Sequence, residues 1–230
     1  MLSVLPVTGL PELRPGDELA ELIVERAALH EGDVVVVTQK AVSKVEGRLV
    51  AVDPDDPLAH KQLVERESVR VLRRRGDLVI SETRHGFVCA NAGVDLSNVE
   101  RGSAALLPVD SDRSARRVRD GLQARTNVNL GVVVTDTFGR AWRRGVTDVA
   151  IGCAGVAAVV DLRGTADALG HELQATEIAV ADEIAAAADL VMGKARGIPV
   201  AIVRGLDPIW LREGSVAEEI VRPPHEDLFR

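Results

Sequence analysis

Tyrosine is missing from this chain altogether, and phenylalanine and tryptophan number only three and two among 230 residues. That scarcity argues against a single-stranded nucleic-acid groove built on stacked aromatic rings. Basic residues are outnumbered too, 28 Lys and Arg against 35 Asp and Glu, and a formal net charge of −7 argues against a surface that coats DNA or RNA. Cys89 and Cys153 are the only cysteines, with a spacing that excludes a CxxC redox pair or a Cys-based zinc site. A disulfide between them requires the fold to bring them together. No apolar run approaches the ~20 residues that span a bilayer, and no secretory segment follows Met1. A cytoplasmic protein with reduced thiols, and no membrane partner, is the expectation.

Several signature loops are absent as well. There is no GxxxxGK[ST], so a nucleotide is not held by a Walker loop, and no GxGxxG follows a strand. Gly152-Cys153-Ala154-Gly155 reads as a tight turn at best. Neither a GxSxG elbow nor an HExxH helix occurs.

What is present is a large aliphatic mass. Hydrophobic residues make up 46% of the chain and charged ones 27%, which rules out disorder and supports one large domain or two closely packed subdomains over residues 1–230. Strands are expected at 4–7, 33–38, 47–52, 78–82, 86–91, 104–108, 130–135, 156–161 and 199–203. A first helix enters at Asp17, with Leu19, Leu22 and Ile23 on one face. Residues 58–75 read as a charged helix stopped by Gly76, and others are expected at 112–125 and 177–192. Asp53 to Pro57 is a Pro/Asp loop, residues 145–155 look turn-rich, and the tail from Asp207 is polar. Elements alternate irregularly and several strands adjoin, which favours a mixed α+β sheet over a doubly wound one. Asp33–Lys44 and Leu130–Arg140 share a faint pattern, a Val-rich strand ending in Thr, that hints at two similar halves.

Two segments carry chemistry. Gly93-Val94-Asp95-Leu96-Ser97-Asn98 and Thr135-Asp136-Thr137-Phe138-Gly139-Arg140 each bring an acidic residue out of an apolar stretch into polar surroundings. Carboxylates and hydroxyls suit Mg²⁺ or Mn²⁺, which bind through one or two carboxylates plus substrate phosphates, and nearby arginines can fork onto phosphate or carboxylate oxygens. The same residues also suit a plain turn and a cap, so both readings stand at this point. The strand at 33–38 delivers Gln39, Lys40, Ser43 and Lys44 to its far end. Arg113, Arg116, Arg117 and Arg119 read as a solvated helix face. His30, His60 and His171 read as surface residues. His85 fits either a substrate contact, with Arg84, or the edge of a core.

Taken with Val4-Leu5-Pro6-Val7, Arg14-Pro15-Gly16-Asp17, Ala41-Val42-Ser43-Lys44-Val45-Glu46-Gly47-Arg48, Arg84-His85-Gly86-Phe87-Val88-Cys89-Ala90-Asn91-Ala92 and Ala181-Asp182-Glu183-Ile184 through Met192-Gly193-Lys194, these segments resemble the GTP-dependent coenzyme F420-0:L-glutamate ligase family, also called F420-0 γ-glutamyl ligase. The resemblance covers nearly residues 1–205. It implies an α+β fold particular to the family and an intertwined homodimer. The implied reaction joins L-glutamate to the lactyl carboxylate of F420-0, with GTP converted to GDP and phosphate, and then extends a γ-linked glutamate tail. Implied cofactors are Mg²⁺ or Mn²⁺, two per site, and K⁺. By position, Leu10, Pro11, Glu12 and Leu13 match a first GTP segment, and Gln39 with Lys44 a second. Asp95 matches a metal ligand, Asn98 a GTP contact, Asp136 a ligand of the first metal and Thr137 of the second. Met192, Gly193 and Lys194 fall in a late GTP and metal region. Two departures stand out: Gln39 where Ser or Thr is common, and Lys194 where Gln or Glu often follows Met-Gly.

The chemistry has its own logic. A carboxylate is a poor electrophile, and transfer of a phosphoryl group to it gives an acyl phosphate that an amine can attack. Asp95 and Asp136 would hold metal, Lys44 would set a point charge on phosphate, and Arg140 or Arg143 would position a substrate carboxylate. No residue stands out as general base for the amine. Rival readings are a metal-dependent phosphatase using the same aspartates, another GTP-dependent carboxylate–amine ligase, and a GTP-regulated binding module, for which no switch elements around a phosphate loop are visible.

Overall fold

The computed structural model describes residues 1–56 and 58–227. In chain order its strands and helices are β1 (Ser3–Val7), α1 (Leu19–Val24), β2 (Val34–Thr38), α2 (Gln39–Val45), β3 (Leu49–Ala51), α3 (Lys61–Glu67), β4 (Ser68–Arg75), β5 (Leu78–Thr83), β6 (Val88–Ala90) and β7 (Ser103–Ala105). There follow α4 (Ser111–Thr126), β8 (Gly131–Arg140), β9 (Arg143–Ala154), β10 (Val160–Asp161), β11 (Glu177–Ile178), α5 (Val180–Met192), β12 (Val200–Arg204) and α6 (Val216–Glu219). The class is α+β, as expected.

A five-stranded sheet in the order β1-β12-β2-β8-β9 forms the centre. Only β2 and β8 run parallel, in a register that sets Val34 against Gly131 and Thr38 against Thr135; the other pairs are antiparallel. Val34, Val35, Val36 and Val37 are all fully buried, as expected of a continuous β-branched run covered on both faces. Val35 and Val37 meet Ile23, Ala115, Val118 and Leu122 of α1 and α4. Val34 and Val36 meet Ala181, Ile184, Ala185 and Ala188 of α5. Burying each such valine removes it from water at about 1.5–3 kcal/mol.

Helix α4 begins where the Asp110 carboxylate accepts the Arg113 amide at 2.9 Å, and ends at Asn127 in the left-handed region. Its start lies hard against β9: a Cβ on Gly152 would sit 2.3 Å from the Ser111 carbonyl carbon. Around a separate small core of Leu63, Val64, Val79, Ala92, Val94, Ala104 and Leu106, residues between α2 and α4 form the sheets β3-β7 and β4-β5-β6.

Five expectations change. Residues 58–75 are not one helix, because α3 stops at Glu67 and β4 pairs with β5 across Gly76-Asp77, a two-residue hairpin turn opened by a positive φ at Gly76. Residues 145–155 are mostly strand: Gly145 serves the hairpin end and Gly152 the close approach to α4, so these glycines do not mark a turn-rich segment. The expected strand at 156–161 shrinks to Val160–Asp161, and the expected helix at 177–192 begins only at Val180. The polar tail docks: Asp112 accepts the Val216 and Ala217 amides and the Ser215 hydroxyl at 3.0, 3.2 and 2.8 Å, with Val216 fully buried. Pro57 of the expected loop and residues 228–230 of the tail lie outside the described residues.

The likeness of the two Val-rich segments proves local. β2 and β8 are neighbours in register, but β2 turns into α2 whereas β8 runs on into a long hairpin with β9.

Candidate active site

Because β2 and β8 are parallel neighbours, their carboxyl ends emerge side by side, the place where a ligand cleft forms in sheets of this kind. A cavity of about 580 Å³ opens there. It gathers Leu10, Pro11, Glu12 and Leu13 from the loop after β1, Gln39 and Lys44 from α2, Asn98, Asp136 and Thr137, and Met192, Gly193 and Lys194 from the end of α5. Segments spread over the chain thus converge on one space. Asp95 and Arg140 are not in its lining. Asp95 adjoins it, with its carboxylate 2.6 Å from the ammonium of Lys40, a lining residue. Arg140 sits on the exposed hairpin, reaching the Arg144 carbonyl at 3.5 Å.

Each side chain is held by local structure. Thr38 caps α2, and the buried Gln39 behind it donates to the Ser43 hydroxyl at 2.7 Å and the Leu106 carbonyl at 2.9 Å. A carbonyl only accepts, so the NH₂ side of the amide must face inward. Among the described residues the Gln39 Oε1 finds no hydrogen-bond partner. The Lys44 ammonium, on a largely buried stem, pairs with Glu12. Asn98 adopts a positive φ of 54°, which Asn tolerates better than most residues, and its amide donates to the Lys194 carbonyl at 3.3 Å. Gly193 ends α5 with a φ of 58° that a side chain would strain.

The electrostatics are uneven. Burial pushes the Asp136 carboxyl up to about 7; the Thr137 amide and the charges of Lys40 and Lys194 pull the other way, and Asp95 adds to the rise. Burial also acts upward on Asp95, but Lys40 and the Ser97 amide outweigh it and hold that carboxyl below the usual range. Beside the cavity, therefore, stands a carboxylate already neutralised by a lysine, and in its lining a buried carboxylate, Asp136, whose nearby positive charge does not offset its burial.

Sequence reasoning missed Asp148 and Asp189 in the lining, and placed Lys40 at the end of its strand without a role in the site. Asp148, on β9 opposite Thr137, is buried and accepts from Thr135 at 3.1 Å and from Thr137. It lay hidden because its segment reads as turn. Asp189, in the last turns of α5, has its carboxyl raised by burial and by the Asp148 charge; the one acid in the second half of an Ala-rich helix was the available signal. Lys40, in the first turn of α2, pairs with Asp95 and also brings its charge to bear on Asp136.

His85 belongs elsewhere. Its Nε2 reaches the Pro108 carbonyl at 2.9 Å and its ring stacks on Phe87, while Arg84 pairs with Glu67, so the edge-of-core reading fits. Arg113, Arg116 and Arg117 are exposed as expected, but Arg119 is tied to Asp120 and Glu213. Both cysteines are buried and free, and burial pushes the Cys89 thiol up to about 12.

A family model described as F420-0:Gamma-glutamyl ligase matches residues 9–205. The chain belongs to that family. It is accordingly an enzyme, a ligase. Relatives named coenzyme F420:L-glutamate ligase include those of Methanopyrus kandleri, 45% identical over all of this chain and 98% of its own length, and Archaeoglobus fulgidus, 43% identical over all of this chain and 96% of its own. That of Methanothermobacter thermautotrophicus is 41% identical over all of this chain and 99% of its own. No helix among the described residues is long and apolar enough to cross a membrane.

Among the described residues no group of three or more His, Cys, Asp or Glu side chains is arranged as a metal cage. That still suits Mg²⁺ or Mn²⁺ on substrate phosphates, which need only one or two protein carboxylates. Asp136, with Asp95 beside it, fits a first ion; the donor set around Thr137 is a different matter, because Lys194 donates to that hydroxyl.

Proposed function

We propose that this ligase joins the amino group of L-glutamate to the lactyl carboxylate of F420-0, using GTP, and then extends a γ-linked glutamate tail, acting in the cytoplasm as a homodimer with Mg²⁺ or Mn²⁺ and K⁺. The observation that carries the reading is the convergence of Lys40, Lys44 and Lys194 with Asp136 in one cavity. Three ammonium groups suit a polyphosphate, and the under-compensated carboxylate suits its cation. The names of the relatives supply F420 and glutamate.

In this reading Lys44, placed by Glu12, sets a point charge on a phosphate, and Lys40 holds Asp95 in position while lending charge to the same region. A divalent cation held by Asp95 and Asp136 would supply charge neutralisation at the phosphoryl oxygens. The walls from Leu10 to Leu13 and Met192 to Lys194 hold the nucleotide so that the carboxylate acceptor meets its terminal phosphoryl group. Phosphoryl transfer to that carboxylate gives an acyl phosphate; attack by the glutamate amine forms the amide and releases phosphate.

Incubation with F420-0, L-glutamate and GTP, followed by mass spectrometry, should show glutamyl additions. Phosphate release without glutamylation would overturn the ligase reaction in favour of a metal-dependent phosphatase. Equal yield with ATP at matched low concentration would refute GTP selectivity. A monomer by light scattering at micromolar concentration would refute the dimer.

A further inference from the structure

Lys194 stands in the cavity lining at the end of the Met192-Gly193-Lys194 segment, and the fold shows what its charge does there. Its ammonium donates to Thr137 Oγ1, the hydroxyl expected to serve a second metal. Thr137 in turn donates its proton to Asp148. The Lys194 charge also reaches Asp136 and Asp189, and these three carboxylates line the cavity with it.

The placement is built in. Gly193 turns the chain at the end of α5, and Asn98 holds the Lys194 carbonyl from across the cavity. An ammonium set among Thr137, Asp136, Asp148 and Asp189 occupies the ground a second dication would need, and repels one that approaches. An ammonium also offers no ligand oxygen to a cation.

We propose that the Lys194 ammonium replaces the second divalent cation, so that this chain binds one such ion per nucleotide instead of two. The inference rests on the nucleotide reading of the cavity. The remaining charge on the phosphates is then met by a side chain whose supply does not depend on metal concentration.

The test counts ions directly. The full-length protein is equilibrated with Mn²⁺ and a non-hydrolysable GTP analogue, and bound manganese per chain is measured by mass spectrometry. Wild type should hold one ion, Lys194→Glu and Lys194→Gln two, and Lys194→Met one, since Met removes the charge without offering an oxygen. Lys194 is exposed, so these variants should fold, with thermal melts as the control. Two ions in wild type would overturn the inference, as would one ion in both the Glu and Gln variants. If wild type binds two while F420-0 glutamylation is intact, only this inference fails. If it binds none, the metal assignment of the cavity fails and takes the inference with it.

Discussion

Replacing Asp136 with Asn separates folding from function at one atom pair. A carboxyl moved by burial from the usual value near 3.8 to about 7 is neutral in the folded protein at mildly acidic pH but ionised in the unfolded chain. The metal-free fold is therefore favoured below about pH 4 and loses that advantage as pH rises to about 7. The full shift corresponds to an upper bound of about 4 kcal/mol. Asp136 is only half-buried, and solvent screening brings the expected figure to about 2 kcal/mol. Asn imitates the neutral acid at every pH. Metal-free Asp136→Asn should thus melt about 4–8 °C above wild type at pH 8 and level with it at pH 4. Added Mn²⁺ should raise the melting temperature of wild type but not of the variant, and ligase turnover should collapse. Calorimetry at the two pH values, with and without Mn²⁺, alongside the product assay, decides the matter. If Asp136 were only a turn or cap residue, Asn would serve as well at every pH. Equal melting at pH 8 with unchanged turnover and metal dependence would refute the reasoning.

Lys44→Ala should weaken GTP about 10- to 100-fold, the worth of a charge-assisted phosphate bond, with Mn²⁺ affinity nearly unchanged; titration calorimetry of both ligands checks it. Asp112→Ala leaves the Cys153, Val216 and Ala217 amides without their carboxylate and should cost about 3 kcal/mol, with hydrogen exchange rising first around α6. Gly152→Ala forces a methyl into the Ser111 backbone and should destabilise by at least about 1–3 kcal/mol, read as a fall in urea midpoint.

Local patterns that answer to chain physics were legible early. The Val34–Val37 run reads as a buried strand, and residues 112–125 and 177–192 read as helices close to α4 and α5, because periodicity acts within a few residues. The candidate site residues come together as well, since the cavity collects all of them but Asp95 and Arg140. Glycine was where local reading failed. Gly152 looks like turn chemistry in sequence, yet it sits within a strand because α4 needs room beside it. Gly76, taken as a helix stop, opens a hairpin whose partner strand had read as helix.

Only the tertiary structure could set Thr38 beside Thr135, since the parallel register of β2 and β8 depends on strand pairing across the intervening chain. From that register follows the position of the cavity, and the pairing of β8 with β9 brings Asp148 to Thr137. The sequence determined which side chains carry charge; whether a charge is compensated depends on neighbours brought from elsewhere. Asp95 and Asp136 look equivalent as letters, and packing beside Lys40 holds one carboxyl down while burial raises the other.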